Sequence, residues 1–210
     1  MKILAIIGSP RKGNTYRIVQ KFNEYMQESD DIECNYVFLR DVNLKQCKGC
    51  FLCIQKGQDC CPLQDDKDMI LHKILDSDGV ILATPSYNFN VSALMKNFID
   101  RFAHLGHQPK FFNQHSMIIT TTAGTGLKEV IAYLNKHVAK LWGFRTVESI
   151  GLLTPPYEKS DKLIEKDDKI IRNKAKLFLK RMKLQDWAPK YYHIEQFCSL
   201  RAIFSLEEMK

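Results

Sequence analysis

The chain has 210 residues, 45% hydrophobic and 26% charged, with a formal net charge of +7. That length buries one full core and leaves material for an extension, and no apolar run reaches the roughly 18 residues of a membrane-spanning helix. The charge is diffuse, with 18 basic against 15 acidic residues over 1–150 and 13 against 9 over 151–210. It can attract an anionic cofactor but lacks the concentrated basic patch of a nucleic-acid binder.

The first element is the short apolar run Ile3–Ile7, of the kind that makes a strand buried on both faces. Gly8 and Pro10 break it, and Asn14 or Thr15 is placed to cap a helix whose apolar face is Ile18, Val19, Phe22 and Met26. The segment Ile32–Leu39 reads as a second strand. An irregular stretch, 40–66, then carries five of the seven cysteines. A short helix over Met69–Leu75 precedes a third strand, Gly79–Ala83. The loop Pro85–Asn90 leads into a helix with Leu94, Phe98 and Phe102 on one face. Strand four covers Ser116–Thr121, followed by the loop Thr122–Gly126 and an amphipathic helix marked by Val130, Ile131, Leu134, Val138 and Leu141. Strand five is Thr146–Leu152, and a long basic helix covers about Asp161–Met182. Strands alternating with helices predict an α/β fold with a five-stranded parallel sheet, doubly wound, covered on both faces. The unit is expected to span 1–183, with 40–66 as a cysteine-rich insertion.

Residues 184–210 read as a separate arm. Trp187, Tyr191, Ile194, Phe197 and Leu200 are too apolar to leave in water. They suit a contact with another subunit better than a membrane surface, since the charge there is mixed. The N-terminus enters a strand at once with no export pattern. Seven cysteines without such a pattern suit thiols or metal ligands in a cytoplasmic protein rather than a disulfide frame.

Three loops fall at the carboxyl edge of the predicted sheet, where such folds bind ligands. The first, between a buried strand and a helix N-terminus, carries Ser9, Arg11, Gly13, Asn14 and Thr15 and suits a phosphate. The same stretch also reads as an ordinary strand–turn–helix corner. Gly8 and Gly13 have the spacing of a nucleoside-triphosphate loop, but Asn14 stands where that loop needs Lys, and the dinucleotide pattern G-x-G-x-x-G is absent. A single phosphate, as in a mononucleotide, fits best. The second loop offers Pro85, Ser86, Tyr87, Asn88 and Phe89, flat apolar surfaces with donors between them. The third offers Thr122, Ala123, Gly124 and Gly126, small residues that admit a ring edge. Together they describe a pocket for a planar heteroaromatic nucleotide.

The segments GSPRKGNT, DGVILATPSYNFNVSALMKNFIDR and TTTAGTG resemble the flavodoxin-like NAD(P)H-dependent FMN reductase and quinone reductase family, and within it the iron-sulfur flavoprotein branch. The resemblance covers about residues 1–150. It implies flavodoxin topology, FMN as cofactor and a homodimer or homotetramer. By that match Ser9, Arg11, Gly13, Asn14 and Thr15 hold the FMN phosphate, Pro85–Phe89 lie beside the ring, and Thr122–Gly126 serve its pyrimidine side. Lys96 and an Asp100–Arg101 pair match a family segment and are read as structural, an ion pair on a helix face at the oligomer contact.

Cys47, Cys50, Cys53 and Cys60 read C-x2-C-x2-C-x6-C, with Cys61 directly after. Four thiolates so spaced suit a [4Fe-4S] cluster, and the spacing resembles the iron-sulfur flavoprotein motif. Zinc, an exchanging dithiol or simply packed thiols are the alternatives. Cys34 and Cys198 are isolated and read as small hydrophobes. His104 and His107 read as surface or interface residues, and Asp65, Asp66 and Asp68 as favouring a helix N-terminus. No Ser–His–Asp order or HExxH pattern supports hydrolysis.

The expected activity is therefore FMN-dependent transfer of electrons from NAD(P)H to a small-molecule acceptor, with no side chain named as catalytic. The alternatives are an iron-sulfur flavoprotein that exchanges electrons with a ferredoxin-like carrier, and a non-redox sensor.

Overall fold

A computed structural model describes residues 1–145, 147–155 and 160–184. Five strands run parallel: β1 (Lys2–Ile7), β2 (Glu33–Phe38), β3 (Gly79–Tyr87), β5 (His115–Thr122) and β6 (Val147–Leu153). The two-residue β4 (Asn90–Val91) pairs antiparallel with the end of β3. The order β2-β1-β3-β5-β6 reverses direction between β1 and β3. With β4 set aside this is the flavodoxin-like order, whose ligand crevice lies outside the carboxyl ends of the strands at that reversal.

The helices are α1 (Asn14–Gln27), α2 (Leu52–Gln55), α3 (Lys67–Leu75), α4 (Ala93–Arg101), α5 (Leu127–Leu134) and α6 (Ser160–Lys183). Alternation along β1 divides the core. Leu4 and Ile6 face a cluster built with Ile70 and Ile74 of α3, Phe98 of α4 and Val130 of α5. Ile3, Ala5 and Ile7 face a second cluster with Phe22 and Met26 of α1 and Phe178 of α6. Successive side chains of a strand point to opposite faces, so a run apolar throughout needs helices on both sides, and it has them.

Several boundaries differ from the sequence reading. Gly13, not Asn14 or Thr15, is the N-cap of α1, and it supplies no side-chain hydrogen bond. β3 continues through Pro85, Ser86 and Tyr87, beyond the Gly79–Ala83 strand expected from sequence; only Asn88 and Phe89 form the turn into β4. Proline ends a ladder only where its missing N–H is needed, and the Pro85 position tolerates it. The amphipathic stretch 127–141 is not one α-helix: α5 gives way to a π-helical turn over Asn135–Ala139, which still buries Val138. Position 146 and all of 185–210, which include the proposed arm and Cys198, lie outside the described residues.

Candidate functional site

The three predicted loops meet at the β1/β3 reversal and are laced together. Gly8 N donates to Ala83 O at 2.7 Å, and the Ser92 hydroxyl donates to Gly8 O at 2.5 Å. The same Ser92 oxygen accepts from Met95 N, capping α4. A Cβ at Gly8 would lie 2.8 Å from Met95 Cβ, so this close approach requires glycine. Thr15 Oγ1 and Thr121 Oγ1 are 2.7 Å apart and buried, tying the start of α1 to the end of β5.

Ser9 is buried. Its hydroxyl donates to Arg11 O at 2.7 Å, and its oxygen faces Arg11 N. The turn so held leads to Gly13 and to an α1 whose first turn carries no acidic residue and no side-chain cap. The unpartnered N–H groups of a helix start need an acceptor, and an anion supplies one while gaining the favourable end of the helix dipole. Arg11 and Lys12 are exposed at the rim.

Asn88 and Phe89 both have positive φ, 49° and 62°. Two such residues are what a tight two-residue hairpin demands, but for Phe this is a strained conformation of the kind that gathers at ligand sites. The turn leaves Tyr87 and Phe89 46% and 55% exposed, two large aromatic faces beside the loop after β5. In that loop the Thr122 hydroxyl donates to Thr125 O and accepts from Gly124 N. Gly126 takes φ +93°, and an added Cβ would press on Ser86 Oγ and lie 3.0 Å from Phe89 Cα. Around Gly124 a Cβ would meet nothing within 4 Å, so the edge is open there. Ser9, Arg11, Gly13, Asn14, Thr15, Pro85–Phe89, Thr122, Ala123, Gly124 and Gly126 thus belong to one edge. Ser92 and Thr121, which join the loops, were not singled out from sequence, although the run Ser92-Ala93 has the form of a helix cap.

The cysteines form a second region. Residues 45–64 leave the fold and return through a neck closed by two aspartates. Asp66 accepts from Asn43 N, and Asp65 accepts from Lys45 N and Lys67 N. Arg101, at the end of α4, holds Asp65 with Nη2 at 2.9 Å from both carboxylate oxygens. The two side chains are 2% and 0% exposed. Arg101 therefore pairs with Asp65 and not with Asp100, which pairs instead with Lys96. Adjacent residues on a helix point to different sides, which explains the correction. Burial raises the Asp65 carboxyl, but the guanidinium and two backbone N–H groups outweigh it and leave it below the usual carboxylate range. Asp66 and Asp68 do sit at the start of α3, as expected.

Arg101 Nη1 donates to Cys61 Sγ at 3.1 Å. Burial pushes that thiol up, but the arginine, the Leu63 backbone N–H and the Lys67 ammonium together outweigh it, so the net shift is below the ordinary thiol value. Cys47, Cys50, Cys53 and Cys61 line one shallow, solvent-open concavity with Arg101 in its wall. Among the described residues no three Cys, His, Asp or Glu side chains converge closely enough to hold a metal ion. The thiols surround a shared space without closing on it. An all-sulfur donor set is nonetheless what a cluster or zinc selects. Arg101 lies nine residues beyond Ser92, about 13 Å of helix rise from the Gly8 loop.

One other reading changes, that of His104, while Cys34 stays as read. His104 is buried, not superficial: it is 1% exposed, neither ring nitrogen has a hydrogen-bond partner among the described residues, and burial pushes its pKa down to about 4. Cys34 behaves as a packed small side chain, its thiol pushed up to about 11 by burial.

The NADPH-dependent FMN reductase family model matches residues 1–157. An iron-sulfur flavoprotein of Archaeoglobus fulgidus is 33% identical over 187 residues, covering 88% of this chain and 84% of that protein. An iron-sulfur flavoprotein of Methanocaldococcus jannaschii is 41% identical over 102 residues, 48% of this chain, and the match spans about half of its length (51%). Among solved structures, the NAD(P)H:quinone oxidoreductase of Methanothermobacter marburgensis superposes with a TM-score of 0.65 at 15% identity, covering 83% of this chain and 94% of that one. That likeness is one of fold, and it agrees with the strand order. The family match over most of the described residues, on a flavodoxin-like sheet with its loops meeting at the reversal, establishes that this chain belongs to the NADPH-dependent FMN reductase family.

Proposed function

We propose that the chain is an FMN-dependent oxidoreductase that takes electrons from a reduced nicotinamide and delivers them to a small-molecule acceptor such as a quinone. The observation that carries this is the laced loop edge, where a buried serine turn, an α1 start without a side-chain cap and two exposed aromatic faces adjoin. Ser9, Arg11, Gly13, Asn14 and Thr15 would hold the phosphate, Pro85–Phe89 the ring face, and Thr122, Ala123, Gly124 and Gly126 its pyrimidine edge. When bound, FMN supplies hydride acceptance and onward transfer of one or two electrons. The chain's part is to bind and orient. The α1 N-terminus and Arg11 neutralise phosphate charge, Tyr87 and Phe89 exclude water from one face, and backbone N–H groups after β5 are donors toward negative charge on the ring. No side-chain acid or base is required.

A second reading is favoured by the four thiols around one concavity and by the iron-sulfur flavoproteins among the relatives. In it Cys47, Cys50, Cys53 and a fourth thiol hold a [4Fe-4S] cluster, and the acceptor is a ferredoxin-like carrier. A cytoplasmic homodimer or homotetramer, with residues 1–183 as the flavin unit and 184–210 as an arm between subunits, completes the proposal. Among the described residues no helix is long and apolar enough to cross a membrane.

The deciding experiment is an absorption spectrum of anaerobically purified protein, with iron and acid-labile sulfide assayed on the same sample, followed by addition of NADH or NADPH. Flavin bands that bleach with nicotinamide and recover with quinone support the reductase. Flavin bands over a broad shoulder, with about four iron per chain, support the second reading. No flavin after incubation with FMN refutes both.

A further inference from the structure

The cysteine stretch offers two adjacent candidates for a fourth sulfur, and sequence spacing favours neither. Cys60 ends the 3-10 turn Gln58–Cys60, whereas Cys61 has already returned to extended backbone at φ −67°, ψ 123°. Neighbouring side chains diverge across such a junction. Cys60 is exposed, and its sulfur points back along its own turn, donating to Lys56 O at 3.6 Å. It is not part of the concavity. Cys61 lines it together with Cys47, Cys50 and Cys53.

Among the described residues, Cys61 is also the one thiol of the four that accepts a hydrogen bond from a buried cation. Arg101 is fixed by its two-pronged contact with Asp65, and Asp65 is in turn fixed by the backbone N–H groups of Lys45 and Lys67 on either side of the loop. The remaining Nη1 meets Cys61 Sγ at 3.1 Å, while Arg101 Nε is buried with no acceptor among the described residues. A desolvated guanidinium aimed at a sulfur stabilises negative charge there, as a metal-bound thiolate requires. Groups that orient a ligand from behind its donor atom decide how well the site is held.

We propose that Cys61, and not Cys60, completes the thiol set with Cys47, Cys50 and Cys53, and that Arg101, buttressed by Asp65, is the residue that positions its sulfur. This rests on the cluster reading above. The set would offer four sulfurs to an iron-sulfur cluster, and Arg101, whose Nη1 meets Cys61 Sγ, would orient that sulfur. Cys60 stays outside the set.

The test is anaerobic reconstitution of the full-length chain with ferrous iron and sulfide. Wild type, Cys60→Ser, Cys61→Ser and the double variant Arg101→Gln/Asp65→Asn are compared, the last removing both buried charges together. Iron and sulfide per chain, the visible spectrum and the cluster's reduction potential are read, with thermal unfolding as the check on folding. Cys60→Ser is expected to match wild type, and Cys61→Ser to lose most of its sulfide at an unchanged melting temperature. The double variant is expected to hold the cluster roughly 10-fold less tightly and at a more negative potential, because a hydrogen bond and a positive charge at the sulfur are gone. Cys61→Ser retaining wild-type iron and sulfide, or Cys60→Ser losing them, overturns the assignment while leaving the cluster reading intact. An unchanged potential in the double variant overturns the role of Arg101. Wild type that takes up neither iron nor sulfide refutes the cluster reading itself, and is recognised because all four chains then read alike.

Discussion

Replacing Asp65 with Ala removes the partner of a guanidinium that is 2% exposed and cannot lose its proton. Breaking a buried pair by deleting one side leaves an uncompensated charge, at a cost of about 3–5 kcal/mol. Two backbone N–H groups lose their acceptor as well. Lys45 N is exposed and finds water, whereas Lys67 N is part-buried and adds about 1 kcal/mol. The expected loss is about 4–6 kcal/mol, which for a chain of this size lowers the melting temperature by roughly 8–24 °C. The cysteine loop has an escape: its neck can open and let water reach Arg101, which shifts part of the cost from global unfolding to local opening. Urea unfolding and limited proteolysis within 45–64 should therefore be read together. Asp65→Leu with Arg101→Met removes both charges and is expected to recover most of the stability. A midpoint within about 1 kcal/mol of wild type for Asp65→Ala, with no new cleavage in the loop, would refute the structural role given to the pair.

Other perturbations test the rest of the molecule. The pKa values of His104 and His115 are both pushed down to about 4, first by burial. In the unfolded chain each binds a proton near its ordinary value of about 6.5. Their contribution is therefore complete above that value and is lost as the pH falls toward 4, on the order of 2–3 kcal/mol each; His104→Phe should flatten this slope in urea midpoints measured across pH 4–7. Asp65 acts lower still: its depressed carboxyl contributes fully above about pH 4 and is lost on further acidification. Gly8→Ala forces a methyl against Met95 Cβ and Ser92 Oγ, and should cost about 1–3 kcal/mol together with loss of copurifying flavin. Arg11→Ala should weaken FMN by roughly tenfold or more through one lost charged contact while leaving riboflavin, which has no phosphate, unchanged; equal weakening of both ligands would remove Arg11 from the phosphate site.

Much of this protein follows from local pattern. Ile3–Ile7 and Val80–Ala83 are apolar throughout and Ser116–Thr121 has an apolar centre at Met117–Ile119; strands of this kind are buried on both faces, and that calls for a doubly wound sheet. Gly8, Pro10 and Gly13 mark the first loop because backbone geometry there depends on near neighbours. Contacts between distant segments left no such trace. Thr15 meets Thr121 across 106 positions, Ser92 meets Gly8 across 84 and Arg101 meets Asp65 across 36, and no periodicity encodes a partner so far away. The same limit governs the cysteines. Spacing brought five of them into one stretch, but which of Cys60 and Cys61 faces the shared space depends on a single turn of backbone and on an arginine from another helix. Only tertiary structure decides that, because one residue of rotation redirects a side chain entirely.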